Sequence, residues 1–67
     1  MSDVARVIEI SARSPVSFED AVKIGVRRAT ETLRGVSSAW VKEQQVKVLD
    51  DQIVEYRVNL LVTFVLE

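Results

Sequence analysis

The chain has 67 residues, nine of them basic and ten acidic, with neither cysteine nor histidine. This composition excludes disulfides and zinc sites built from Cys and His, and it lacks the basic excess of nucleic-acid-binding proteins. A domain of this size buries only about 60% of the surface of its unfolded chain and usually needs a partner. Because 48% of the residues are apolar, we expect a single domain, residues 1–67, that self-associates.

The beginning of the chain, Met1-Ser2-Asp3, opens with a charge and is not followed by an apolar segment, so no signal peptide is expected. The longest apolar stretch, near 60–66, is too short to cross a bilayer. We therefore expect a cytoplasmic protein without membrane or nucleic-acid partners. Enzymatic activity is not expected, because the usual general base and the strongest nucleophile are missing.

The first half of the chain predicts a strand followed by a helix. Residues 4–12 are rich in β-branched side chains that loosely alternate, which is typical of a strand. Pro15 cannot donate a hydrogen bond to a β-ladder and marks the loop that follows. Ser17 is a favourable N-cap for a helix over 18–34, and Gly35 is suited to the left-handed conformation that ends helices.

One side of this helix is expected to pack on a sheet, because small and apolar residues recur there at helical spacing. These residues are Phe18, Val22, Gly25, Ala29 and Leu33, flanked by Ala21 and Val26. On the exposed side, Glu19 precedes Lys23 by four residues, and the two are expected to pair. Arg27 and Glu31 have the same spacing. The alternative interpretation of this basic side is a positive rim that attracts anionic ligands.

The second half predicts two strands, over 38–49 and 52–66, joined at Asp50 and Asp51, where turn residues belong. These two acids alone offer too few oxygens for a calcium site. The last strand alternates, which places one set of side chains on the core. The core set is Val54, Tyr56, Val58, Leu60, Val62, Phe64 and Leu66. The opposite set is Ile53, Glu55, Arg57, Asn59, Leu61, Thr63 and Val65.

These elements predict an α+β fold of order β-α-β-β, in which one helix covers one face of a three-stranded antiparallel sheet. The other face, called the open face below, carries the opposite set of the last strand together with Trp40. In a monomer, this face would expose an apolar patch around Trp40, Leu61 and Val65. Long unpaired strand edges would also invite pairing. Both features predict a homo-oligomer.

Several short segments resemble the dodecin family in their order and spacing, over essentially the whole chain. They are Val7-Ile8-Glu9-Ile10, Ser14-Pro15, Ser17-Phe18-Glu19-Asp20-Ala21, Arg28-Ala29, Thr32-Leu33-Arg34, Val41-Lys42-Glu43-Gln44, Glu55-Tyr56-Arg57-Val58 and Val62-Thr63-Phe64-Val65-Leu66-Glu67. The resemblance implies a β-α-β-β subunit with the sheet wrapped on the helix, assembled into a hollow dodecamer. It also implies a non-enzymatic shell that binds and sequesters a small ligand, with flavin (riboflavin, FMN or FAD) as the first candidate.

The resemblance also implies a set of site residues. Flavin-binding dodecins stack the isoalloxazine ring on a tryptophan that begins the second strand, and hydrogen-bond it through a glutamine of the third. Here these two positions hold Ser38 and Arg57, while the single tryptophan is Trp40, on the same side of an unbroken strand as Ser38. Glu43 matches an acidic position that contacts the ligand. Gln45 falls where many members carry a basic residue.

The candidate residues also have other interpretations. Trp40 either stacks a planar ligand or packs in a subunit interface. Arg57 binds a phosphate or carboxylate, stacks on Trp40, or pairs with Glu43 or Glu55. Dodecin-like chains without the stacking tryptophan exist, and at least one is a calcium binder. The alternative function is therefore a flavin-free dodecamer with a structural or calcium-associated role.

Overall fold

The computed structural model describes residues 3–66, which form three strands and one helix. The elements are β1 (Val4–Ser14), α1 (Phe18–Thr32), β2 (Val36–Leu49) and β3 (Gln52–Leu66). β1 and β2 each pair antiparallel with β3, so the sheet order is β1-β3-β2, and α1 packs mainly on β1 and β3. The predicted β-α-β-β fold with a three-stranded antiparallel sheet is confirmed. Met1, Ser2 and Glu67, which the sequence predictions include, lie outside the described residues.

The connection between β1 and α1 is held by two serine side chains. Ser17 Oγ accepts a hydrogen bond from Asp20 N at 3.0 Å, as expected of an N-cap. The buried Ser14 donates from its Oγ to Asp20 Oδ2 at 2.6 Å and accepts from Val16 N at 2.9 Å. β1 runs on to Ser14, two residues past the predicted end at 12, because its pairing with β3 continues that far.

The helix ends two residues earlier than predicted, at Thr32 rather than at 34. Leu33 is already extended, with φ −116° and ψ 144°, and its N–H donates to Ala29 O at 2.9 Å. Gly35 has the expected left-handed conformation, with φ +73°. Its carbonyl accepts from Val65 N at 3.0 Å, so this glycine starts the pairing of β2 with β3. β2 accordingly begins at Val36, two residues before the predicted 38.

The core lies where α1 crosses the middle of the sheet. Ala21, Gly25 and Ala29 are the buried residues of α1, and their small size lets the helix approach the strands closely. A Cβ added at Gly25 would lie 2.8 Å from Leu60 Cδ1 and 3.0 Å from Ala12 Cβ. The largest fully buried apolar side chains are Val58, Leu60 and Val62 of β3.

The outer members of the predicted core set are not buried. Val54 is 39% exposed and Leu66 is 48% exposed. The reason is length: the 15 residues of α1 span about 22 Å, whereas the 15 residues of β3 span about 50 Å. The helix therefore covers less than half of the strand, and the molecule is 52 Å long and 19 Å wide.

The hairpin of β2 and β3 extends past the helix and ends in a two-residue turn. Asp50 and Asp51 have φ of 52° and 63°, so both are left-handed, as in a type I′ turn. Large apolar side chains near this hairpin tip are exposed. They are Val46, Val48, Leu49, Ile53 and Val54.

Charged side chains line the exposed side of α1. Lys23 Nζ lies 3.2 Å from Glu19 Oε1, which confirms that predicted pair. Glu31 instead pairs with Arg28, whose Nη1 lies 3.4 Å from Glu31 Oε2, so the prediction of an Arg27 pair is wrong. Residues three or four positions apart are neighbours on a helix surface, so both pairs are possible. No helix within residues 3–66 is long and apolar enough to cross a membrane.

Candidate functional site

A bulge at Lys42 in β2 brings the candidate residues to one face of the sheet. Before the bulge, Trp40 lies opposite Leu61, and after it, Glu43 lies opposite Asn59. In an unbroken strand, Trp40 and Glu43 are three positions apart and would point to opposite faces. The extra residue reverses this relation, so both lie on the open face with Leu61 and Asn59.

The register arranges the open face in successive rows across the three strands. From β1 through β3 to β2, the rows are Val7, Thr63 and Ser38; Glu9, Leu61 and Trp40; Ser11, Asn59 and Glu43; Arg13, Arg57 and Gln45. Neighbouring rows are about 7 Å apart along a strand. Ser38 is therefore three rows, or about 20 Å, from Gln45 and Arg57. The structure does not bring Ser38 together with those two residues.

A polar pocket on the open face unites three of the five candidates. Glu43, Gln45 and Arg57 line it with Gln44 and Asn59, and its volume is about 260 Å³. Asn59 Nδ2 donates to Glu43 Oε1 at 3.2 Å. The pocket thus combines a carboxylate, side-chain amides and a guanidinium, so it offers both donors and acceptors to the edge of a ligand.

Arg57 pairs with Glu55, one of the two acids proposed for it, through a hydrogen bond from its Nε. Both side chains are partly buried, 32% and 25% exposed respectively. This hydrogen bond lowers the pKa of the Glu55 carboxyl below its ordinary 4.5; burial opposes the shift, and the charges of Arg57, Arg13 and Lys47 support it. The other proposed acid, Glu43, bonds to Asn59 instead.

Trp40 stands on the open face next to the polar pocket and is 72% exposed. Across the same part of the sheet, Lys42 Nζ lies 3.1 Å from Glu9 Oε1, so this ion pair reaches over the central strand. Tryptophan is enriched at interfaces, where its ring is covered and its N–H finds a hydrogen-bond acceptor. Its two interpretations, a stacking platform and an interface residue, both remain compatible with this position.

Some residues at the site were not among the sequence candidates. Asn59 lines the pocket, and it was detectable as a polar residue on the open face of a largely apolar strand. Arg13 and Lys47 lie in or beside the last row, because their register partners are Arg57 and Glu55. The position of Lys47 could not be predicted, because it depends on the register of β2. That register depends on the bulge at Lys42, which no sequence pattern indicates.

A second, apolar cavity of about 450 Å³ lies between α1 and β1, and none of the five candidates lines it. Ile8, Ile10, Ile24 and Leu33 form part of its wall. Within residues 3–66, no three acidic side chains come together in a way that could hold a metal ion.

Comparison with known proteins gives one family. The family model described as Dodecin matches residues 4–67. No match was found among curated proteins.

Several solved structures are similar to this chain in sequence and in fold. Dodecin from Streptomyces coelicolor is 32% identical, and the match covers 97% of this chain and 93% of that chain with a TM-score of 0.92. Dodecin from Streptomyces davaonensis is 30% identical, with coverage of 100% and 98% and a TM-score of 0.94. The calcium-chelating immunodominant antigen, calcium dodecin, from Mycobacterium tuberculosis is 34% identical, with coverage of 96% and 91% and a TM-score of 0.83. The chain belongs to the dodecin family.

Proposed function

We propose that this chain assembles into a homo-dodecameric shell that binds and sequesters a planar ligand, with flavin as the first candidate, and catalyses no reaction. The observation that carries the proposal is the position of Trp40, 72% exposed beside a polar pocket on the face that no helix covers. Family members bind flavins, which supports the choice of ligand. A ring stacked on Trp40 would bury apolar surface on both partners.

Assembly is supported by the amount of apolar surface that one subunit leaves exposed. Apart from Trp40, the hairpin tip and the beginning of β1 carry large exposed apolar side chains, such as Leu49 and Val4. β1 and β2 are the edges of the sheet, and each is long enough to pair with another chain. Contact between subunits would cover this surface and supply the stability that so small a domain lacks.

Each proposed site residue has a role that follows from its row. Trp40 supplies the stacking face. Glu43 and Gln45, one and two rows further, supply an acceptor and an amide for the ring edge. Arg57 faces Gln45 and supplies a charged donor. Ser38, on the far side of Trp40, would contact only the opposite end of a ligand.

Flavin fluorescence tests the proposed binding. Riboflavin and FMN titrated with ligand-free protein are expected to lose fluorescence in a saturable way, near one flavin per subunit. Trp40→Ala should abolish this quenching while the native mass of the particle stays unchanged. Trp40→Phe is the matched control, since a smaller aromatic ring should retain weakened binding. Equal flavin binding by the parent and Trp40→Ala would contradict the stacking role.

The second candidate function is a flavin-free dodecamer with a structural or calcium-associated role. It is favoured by the 34% identity to the calcium dodecin of Mycobacterium tuberculosis, and by Ser38 and Arg57 at the two family positions for flavin contacts. Since residues 3–66 of one subunit hold no acidic cluster, calcium would need oxygens from more than one subunit. If this second function is correct, calorimetric titration with calcium chloride gives a saturable signal, and titration with flavin gives none.

Residues 1–67 are proposed to form a single domain, in the cytoplasm, without nucleic-acid or membrane partners. Cell fractionation tests the location. A gel-mobility shift of nucleic acid that persists at high salt would show specific binding and contradict this proposal, because non-specific electrostatic binding weakens as salt rises.

A further inference from the structure

The hairpin tip is the least covered part of the sheet. β1 ends at Ser14, whose register partner is Tyr56, so only β2 and β3 continue beyond this point. Two-stranded ribbons are marginally stable in water. Side chains two apart along β2 share a side, and Val48 is the register partner of Ile53, so Val46, Val48 and Ile53 form an apolar strip. Its members are 37%, 58% and 53% exposed, and nothing within residues 3–66 covers them.

The apolar cavity between α1 and β1 is a concave surface that this strip can enter. Ile8, Ile10 and Ile24 form part of its wall, and Ile24 is 39% exposed. The tip of the same chain cannot reach it. Ile10 is the register partner of Leu60, and Ile53 lies seven residues before Leu60 in the same strand, about 24 Å away. The occupant of the cavity therefore comes from outside the chain.

The charges of the tip and of the cavity are complementary. The tip ends in Asp50 and Asp51, and neither takes part in an ion pair within residues 3–66. Arg28 lines the cavity, and its side chain is 78% exposed. It lies 3.4 Å from Glu31, in an exposed pair of a kind that contributes little to stability. An apolar segment that ends in carboxylates fits this cavity, and every copy of the chain carries one.

We propose that the hairpin tip of one copy docks into the apolar cavity of a second copy, with its apolar strip against Ile24 and its turn carboxylates beside Arg28. This inference rests on the self-assembly in the proposed function and specifies one of its contacts. Because the tip and the cavity are different surfaces of the same chain, the contact is heterologous. It repeats from copy to copy until a ring closes, and a closed shell requires this closure.

Crosslinking through introduced cysteines tests the contact, because the chain has none of its own. Val48→Cys and Ile24→Cys chains, one of them with an affinity tag, are co-expressed and treated with a short bismaleimide, which tolerates a wider separation than a disulfide does. Denaturing mass spectrometry is expected to show a mixed dimer, and a chain with both substitutions should give cyclic multimers. Thr30→Cys is the matched control for Ile24→Cys, since Thr30 is exposed on α1 but does not line the cavity. It should give no mixed dimer.

Charge reversal at the cavity gives a second readout. Arg28→Glu should raise the protein concentration at which half of the particle dissociates about fivefold, because repulsion from the turn carboxylates replaces attraction. Arg27→Glu is the matched control, since it places the same charge beside Glu31 but does not line the cavity. Equal effects of the two reversals would overturn the pairing of Arg28 with the turn.

The outcomes separate this inference from the assembly on which it rests. A full-size particle without the mixed crosslink would overturn the inference and leave assembly intact. Crosslinks between two Val48→Cys chains, in place of the mixed product, would also overturn it, because they would show that tips pair with each other. A parent protein that stays monomeric would contradict the assembly itself.

Discussion

At the scale of single residues, a close contact between α1 and the sheet fixes the position of the helix. This contact leaves no room for a side chain at one helix position. Gly25 is the clearest case, because the space that a Cβ would need is taken by Leu60 and Ala12. The helical spacing of small residues predicted that this side of α1 packs on the sheet. It did not predict how close the approach is, since that depends on the side chains of two strands.

Gly25→Ala is expected to lower the free energy of unfolding per subunit. Overpacking costs about 1–3 kcal/mol, and the better helix propensity of alanine returns at most about 1 kcal/mol. Leu60 is fully buried and Ala12 cannot rotate away, so relaxation is limited. Thermal unfolding measures the change, with the exposed Thr30→Ala as control. A variant as stable as the parent would show that the core has room at this position.

The Glu55 and Arg57 pair predicts a pH dependence of stability. The pKa of Glu55 is lowered in the folded state, chiefly by the hydrogen bond from Arg57. The folded protein therefore binds this proton less readily than the unfolded chain, and the pair stabilises the fold above pH 4.5, the ordinary pKa. This contribution is lost as the pH falls through the lowered pKa.

Acid titration of the parent and of Glu55→Gln tests this dependence. Between neutral pH and about pH 3, the variant should lose less stability than the parent, because it has no carboxylate to protonate at this position. Glu31→Gln on α1 is a suitable control. Identical pH profiles of Tm for the parent and Glu55→Gln would contradict the role given to the pair.

At the scale of elements, the sequence predicted the start of the helix better than the end of the helix or the bulge in β2. The start of α1 was predictable, because Ser17 offers the hydroxyl that caps it. The end at Thr32 was not, since Leu33 fits the apolar periodicity while its backbone is already extended. The bulge at Lys42 has no local signature, so the sequence alone would have placed Trp40 and Glu43 on opposite faces. The pocket could therefore be predicted only as a set of residues, through the family resemblance.

The hairpin turn gives a prediction at the same scale. Asp51 is left-handed, with φ 63°, a conformation that costs most residues about 1–2 kcal/mol and glycine little. Asp51→Gly is expected to stabilise the chain by about 0.5–1 kcal/mol, because the relief of left-handed strain exceeds the entropy cost of ordering a glycine, whereas the β-branched Asp51→Val should destabilise it. Chemical denaturation midpoints of the two variants provide the measurement. The reverse order of stability would mean that the turn has another conformation.

At the scale of the whole molecule, the subunit is longer than its core. One short helix covers the middle of the sheet and leaves the hairpin tip, the sheet edges and the open face uncovered. The alternation of β3 predicted its core face, yet only Val58, Leu60 and Val62 are fully buried. The helix does not reach the ends of the strand, and the alternation of one strand cannot specify how much of it the helix covers.

Two neighbouring residues of β3 separate folding from assembly. Leu60→Asp would bury an unpaired charge at a fully buried position, which costs several kcal/mol and should unfold a domain of this size. Leu61→Asp places the same charge on the open face and should leave folded subunits that no longer assemble. Circular dichroism with size-exclusion chromatography distinguishes the two. A full-size particle formed by Leu61→Asp would exclude this part of the open face from the interface.

Native mass spectrometry of the protein, purified without added ligand, tests the central claim most directly. A dodecameric mass, with discrete increments that match bound flavin, is the predicted result. A dodecamer without any flavin adduct, which also binds none on addition, would contradict the binding function and favour the flavin-free alternative. A monomer or dimer would contradict the shell itself.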